Sequence, residues 1–166
     1  MSFNPFVLWG CCILLMTSFG CSATAMGSVA LRADGSPGPE ICPEEARKAM
    51  NYLEMFVGTA SIIQLDANQR HASPVTLYEG NIESILEGEL GLLGSQTRLY
   101  GRVWTGGPKI VIRYYAAQSP RGGNQFPICA VARKSLGQFR KSPESKPGTA
   151  IIEFSSAAVF IVNEFR

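Results

Sequence analysis

No charged side chain occurs before Arg32, and only 17% of the 166 residues are charged at all. With hydrophobic residues at 46%, that scarcity excludes a disordered chain and a charge-rich helical repeat. Histidine appears once, at His71, so no paired-histidine zinc site and no H-E-x-x-H helix can be built. A G-x-S-x-G elbow, a Walker loop and a repeat of fixed period are also missing. The net charge of +2 is too small for a nucleic-acid footprint, which needs basic residues gathered on one face. Long hydrophobic runs are lacking too. The apolar run at 6–16 covers about eleven residues, where a spanning helix needs about twenty and an export signal seven to fifteen.

That short run reads Phe-Val-Leu-Trp-Gly-Cys-Cys-Ile-Leu-Leu-Met, and Thr17, Ser18, Gly20, Ser22, Ala23 and Thr24 follow at once. The pattern is that of an export signal, although residues 1–5 carry no Lys or Arg. Two cleavage sites compete. Ser18-Phe19-Gly20-Cys21 resembles a bacterial lipobox, in which Cys21 becomes the first residue and takes the lipid. Ala23-Thr24-Ala25 offers an ordinary A-x-A site that would release a soluble protein starting at Met26, and an uncleaved anchor is the third alternative. The leading expectation is a signal peptide over 1–20, a lipid anchor on Cys21, a linker through residue 40 and one domain over 41–166. Several acyl chains on one cysteine hold a membrane stably, whereas a single chain binds marginally.

Cysteine parity agrees with export. Cys11 and Cys12 leave with the signal and Cys21 is lipidated or removed, which leaves Cys42 and Cys129 as an even pair. A bridge between them closes a loop of roughly 87 residues, worth about 4–5 kcal/mol at most by chain entropy. Two buried free thiols are the alternative. The spacing excludes a C-x-x-C motif or a zinc cluster, and no metal or cofactor is expected.

Residues 29–40 contain Gly, Ser and Pro without periodicity and read as linker. Pro43 at a first helical position, Glu44 and Glu45 in the first turn, and Ala46, Ala49, Met50, Leu53 and Phe56 or Val57 at helical spacing predict a helix over 43–57. Gly58 ends it. Its Met50, Met55 and Phe56 read as core packing, with a ligand groove as the lesser alternative. Strands are predicted over 60–65, 74–78, 81–86, 97–104, 109–117 and 125–132, and a last β segment over 149–162 breaks at Ser155 and Ser156. The three strands between 97 and 132 form a meander. The fold class is therefore α+β: one N-terminal helix packed on a mainly antiparallel β-meander or small β-barrel.

Chemistry-bearing residues are few. His71 sits in a polar stretch that reads as loop, and Glu79, Glu83, Glu87 and Glu89 could supply a carboxylate pair for glycoside cleavage. Gly91-Leu92-Leu93-Gly94 reads as a turn. Arg133, Lys134, Arg140, Lys141 and Lys146 form a diluted basic stretch, either solvated loop or a weak contact for an anionic surface. Tyr100, Arg102 and Trp104 share one strand face, and Arg113 and Tyr115 share one on the next. Such a face is amphipathic cover over a core or a recognition surface, since Tyr, Trp and Arg dominate contact hot spots.

The segments Thr97-Arg98-Leu99-Tyr100-Gly101-Arg102-Val103-Trp104-Thr105-Gly106-Gly107, Ile112-Arg113-Tyr114 and Phe126-Pro127-Ile128-Cys129 together resemble uncharacterised exported proteins of myxobacterial type. That resemblance implies the paired cysteines and an envelope location, and no activity. The same stretch is similar, more distantly, to the small β-barrel element of VirB10/TrbI-like secretion-channel proteins. Gln96 stands where that pattern has its first glycine, and Pro120-Arg121-Gly122 fits its turn. The expectation is a non-enzymatic envelope lipoprotein whose meander face, through Tyr100, Arg102 and Trp104, binds another protein or a cell-wall component. Membrane contact runs through the lipid, and nucleic acid is not a partner. A small secreted hydrolase is the alternative.

Overall fold

The computed structural model describes residues 29–134 and 137–166. The expected signal segment, Cys21 and both candidate cleavage sites lie outside those residues. The elements in chain order are β1 (Glu40–Ile41), α1 (Glu44–Tyr52), β2 (Ala60–Gln64), β3 (Val75–Tyr78) and β4 (Gly80–Leu86). They continue with β5 (Arg98–Trp104), β6 (Val111–Gln118), β7 (Phe126–Arg133), β8 (Thr149–Ile152), β9 (Ser156–Ile161) and β10 (Glu164–Phe165). The fold is α+β, built on a closed antiparallel barrel in the order β2-β4-β5-β6-β7-β9, with β9 returning to β2. Two small ribbons, β1 with β10 and β3 with β8, lie outside it.

Alternation puts Leu99, Gly101 and Val103 of β5 inside the barrel, where they meet Leu86, Ile112, Tyr114, Ala130 and Val159. Tyr114 is fully buried and needs a partner for its hydroxyl. Ser84 supplies it: the serine Oγ donates to the Leu65 carbonyl at 2.6 Å, so the phenol donates to Ser84 Oγ, also at 2.6 Å. Burial raises the Tyr114 pKa, and the phenol stays neutral. Room for the ring comes from Gly101. A Cβ there would lie 2.1 Å from the Arg113 carbonyl oxygen and 2.8 Å from Tyr114 Cδ1. The β5–β6 register shifts at this point, with Tyr115 the extra residue on β6.

Helix α1 covers the outer face of β7, and the Cys42–Cys129 disulfide ties its start to that strand. The pairing expected from cysteine parity is present. The helix is shorter than the predicted 43–57. Glu54 adopts φ 56°, its N–H donates to the Asn51 carbonyl at 3.2 Å, and the Met55 N–H donates to Met50 O at 2.8 Å. These two bonds form a Schellman end with a glutamate in the left-handed position. The loop at Gly91–Leu92 seals it, since the Leu92 N–H donates to Leu53 O at 2.8 Å. Met50 and Met55 go into the core, while Phe56 and Val57 are exposed beyond the helix.

A second correction concerns the expected linker. Residues 30–38 form a hairpin in which the Arg32 N–H donates to Ser36 O at 2.8 Å and the Gly38 N–H to Ala30 O at 2.7 Å. Ser36, Pro37 and Gly38 are buried, and Gly35 lies close against Gly106. The stretch lacks periodicity because it is a tight turn packed on the barrel.

Substituting Gly101 by Ala should destabilise the fold by about 3 kcal/mol, because backbone blocks the new methyl. Urea denaturation checks this; a midpoint equal to that of the parent would show that the strand pair can open.

Candidate binding surface

The outer face of the β5–β6 pair carries Arg98, Tyr100, Arg102 and Trp104 from one strand and Arg113 and Tyr115 from the next. The three residues expected to form one recognition strip meet different fates. Arg102 is exposed, and Tyr100 is half-buried with its hydroxyl donating to Gln118 Oε1 at 2.8 Å. Trp104 is only 2% exposed. Alternation correctly gives its face, but a second layer covers it.

That layer is built from both ends of the domain around Arg113, itself 1% exposed. The Arg113 guanidinium lies 5.5 Å from the Trp104 ring centre and 5.0 Å from that of Phe165. Its Nη2 donates to the Gly38 carbonyl at 2.8 Å, and its Nη1 stands 3.5 Å from Glu40 Oε2. Nη1 makes no hydrogen bond among the described residues. Tyr115 donates to the same Glu40 oxygen at 3.0 Å and meets Phe165 edge-on at 5.3 Å. Burial pushes the Arg113 pKa down, while Tyr115 and Glu40 pull it back up. Burial, reinforced by Glu40, raises that of Tyr115. Arg102 lies over the Trp104 ring at 5.4 Å, so two cations share one indole. Glu40, Gly38 and Phe165 escaped sequence reasoning because β1 and β10 pair across the whole domain.

The groups considered for hydrolysis do not converge. His71 is an exposed loop residue at φ 59° whose backbone N–H donates to Gln64 Oε1 at 2.9 Å. Glu79 accepts from the Thr105 N–H at 3.1 Å and hydroxyl at 2.6 Å, and the hydroxyl bond holds its carboxyl below the usual range. Glu83 pairs with Arg98, Glu87 accepts from Gln64 Nε2 at 2.8 Å, and Glu89 is exposed. Glu79, Glu83 and Glu87 thus each serve a separate contact, and Glu89 faces solvent. Among the described residues, no group of three His, Cys, Asp or Glu is placed to hold a metal ion, and no helix is long and apolar enough to cross a membrane.

Hollows mark the surface formed by the described residues. One of about 450 Å³ has Met50 and Met55 as its floor and Phe56 and Val57 on its rim, so the methionines serve the core and border a groove together. Another, of about 500 Å³, lies between residues 138–142 and 151–156, with Lys134 at its edge. A third of about 200 Å³ lies among Arg32, Lys109 and Arg166.

Replacing Trp104 by Ala should lower stability by about 3–5 kcal/mol, the cost of a buried indole. Chemical denaturation of the variant gives the value; a loss near zero would return Trp104 to the accessible surface. No protein-family model matches the chain, and no curated protein matches it.

Proposed function

We propose that this chain is an exported envelope lipoprotein, anchored through Cys21, that works as a non-enzymatic binding or assembly component. The observation that carries the reading is the Cys42–Cys129 disulfide in a chain that opens with a short apolar run and a lipobox-like Ser18-Phe19-Gly20-Cys21. Structural disulfides persist in oxidising compartments, and a signal segment delivers a protein to one.

Two further features support a binding role over the hydrolase alternative. The candidate catalytic groups His71, Glu79, Glu83 and Glu87 are spread over separate contacts and do not converge on one site. The run that resembles the barrel element of secretion-channel proteins forms two adjoining barrel walls, β5 and β6, which suits an assembly component. Fold likeness alone transfers no activity. The partner is another envelope protein or a cell-wall component, met through the exposed Arg102 and the half-buried Tyr100 beside it.

Metabolic labelling with a fatty acid tests the anchor. The parent chain should take the label and sediment with membranes, and Cys21→Ser should do neither. Label persisting in Cys21→Ser would overturn the assignment.

A further inference from the structure

We infer that one rim of the barrel docks onto an anionic phospholipid bilayer. The choice of partner rests on the lipid-anchor reading; the geometry of the rim does not. Arg32, Lys109 and Arg166 surround the 200 Å³ hollow, and Lys134, Arg140 and Lys141 border the 500 Å³ groove. Gln138 lines both, so the two form one surface. The chain joins them directly: the Ile110 N–H donates to Phe139 O at 3.1 Å, and Lys141 Nζ donates to the Thr105 carbonyl. The N-terminal hairpin packs on the same loop through Gly35 and Gly106. Folding thus gathers cations from four separate stretches of sequence, only one of which stood out as basic.

The groove beneath these cations is apolar. Phe139 and Ile152 are buried at its floor, and Phe154 stands 52% exposed in its wall. Cations around an apolar floor with one accessible aromatic match the boundary between phosphate headgroups and acyl chains. Acids share the rim: Glu144 stands exposed two residues beyond Ser142 of the groove wall, with no ion pair among the described residues, and Asp34, Glu79, Glu153 and Glu164 are each engaged. Asp34 accepts from the Ser36 N–H and hydroxyl, and Glu79 accepts from Thr105. Glu153 lies 3.9 Å from Lys134, and Glu164 lies 3.5 Å from Arg166. Arg32, Lys109 and Arg140 have no ion-pair partner among the described residues.

Chain length supplies the second reason. Arg32 follows Cys21 by roughly eleven residues, whose fully extended reach is about 40 Å. A lipid on Cys21 therefore keeps the hairpin within about 40 Å of the headgroups. Surface charge acts over a Debye length, about 8 Å at physiological salt, so the rim cations attract the bilayer once the tether has brought the domain close.

The test uses the full chain with Cys21→Ser, mixed with phosphatidylcholine vesicles and with vesicles that also carry phosphatidylglycerol. The apolar run at 6–16 contributes alike to both, so the difference between them reads the rim. Binding should be stronger to the phosphatidylglycerol vesicles, weaken with salt and withstand competition by inorganic phosphate. Lys109→Ala combined with Arg140→Ala should lower that extra binding about 25-fold, at about fivefold per cation, with the thermal melt unchanged. Equal binding to both vesicles, or undiminished binding by the double variant, would overturn the inference. Loss of binding to free phosphate would also overturn it, revealing a small-anion site. Fatty-acid labelling of Cys21 is read separately, so failure of the anchor and failure of the rim are told apart.

Discussion

Arg113 is a cation almost wholly removed from water, on the outer face of a strand in the middle of the meander. An ion in that position costs several kcal/mol unless charge and hydrogen-bond partners replace its hydration. The replacements come from the two ends of the domain. Gly38 and Glu40 lie before the helix and Phe165 in the last strand, and the β1–β10 pair brings them together. Removing any of them would leave a buried charge without its compensation, so the cover and the cation require each other. The same cover lies over Trp104. A surface that alternation marks as open is thereby closed, and what can be recognised from outside moves to Arg102, Tyr100 and the basic rim.

The barrel makes this arrangement geometrically possible. Gly101 lets β5 approach β6 closely enough for Tyr114 to fill the interior, and the shift at Tyr115 places that ring outside, beside Glu40 and Phe165. The Cys42–Cys129 bond then fixes the chain immediately after β1 to the strand next to Arg113. Closure leaves the barrel without a free edge, so strand addition is not available to a partner of these six strands. A binding role would therefore run through side chains and not through backbone pairing with the barrel.

Much of the fold was legible in the sequence, and the reasons are local. The strands at 98–104, 111–118 and 126–133 announce themselves by alternation and by Gly-Gly-Pro and Pro-Arg-Gly-Gly turns. The disulfide follows from counting the cysteines that an export reading leaves in the domain. The helix end was misread because Gly58 looked like the stop, while Glu54 takes the left-handed position four residues earlier. Residues 29–40 looked like linker because a packed turn has no period. The small residues Ser36, Gly38, Gly106 and Gly107 were a usable sign of close backbone approach. Burial of Trp104 was not legible, since alternation assigns a face and says nothing of a second layer contributed by Phe165 and the hairpin.

Native-state hydrogen exchange tests most directly the claim that Arg113 holds the segments around β1 and β10 to the barrel. In the parent, the Gly38 amide bonded to Ala30 and the Cys42 amide bonded to Asn163 should be well protected. In Arg113→Met, both should lose protection together, while the amides of β5 within the barrel keep theirs. Unchanged protection of Gly38 and Cys42 in that variant would contradict the account, for the cover would then stay docked without the cation.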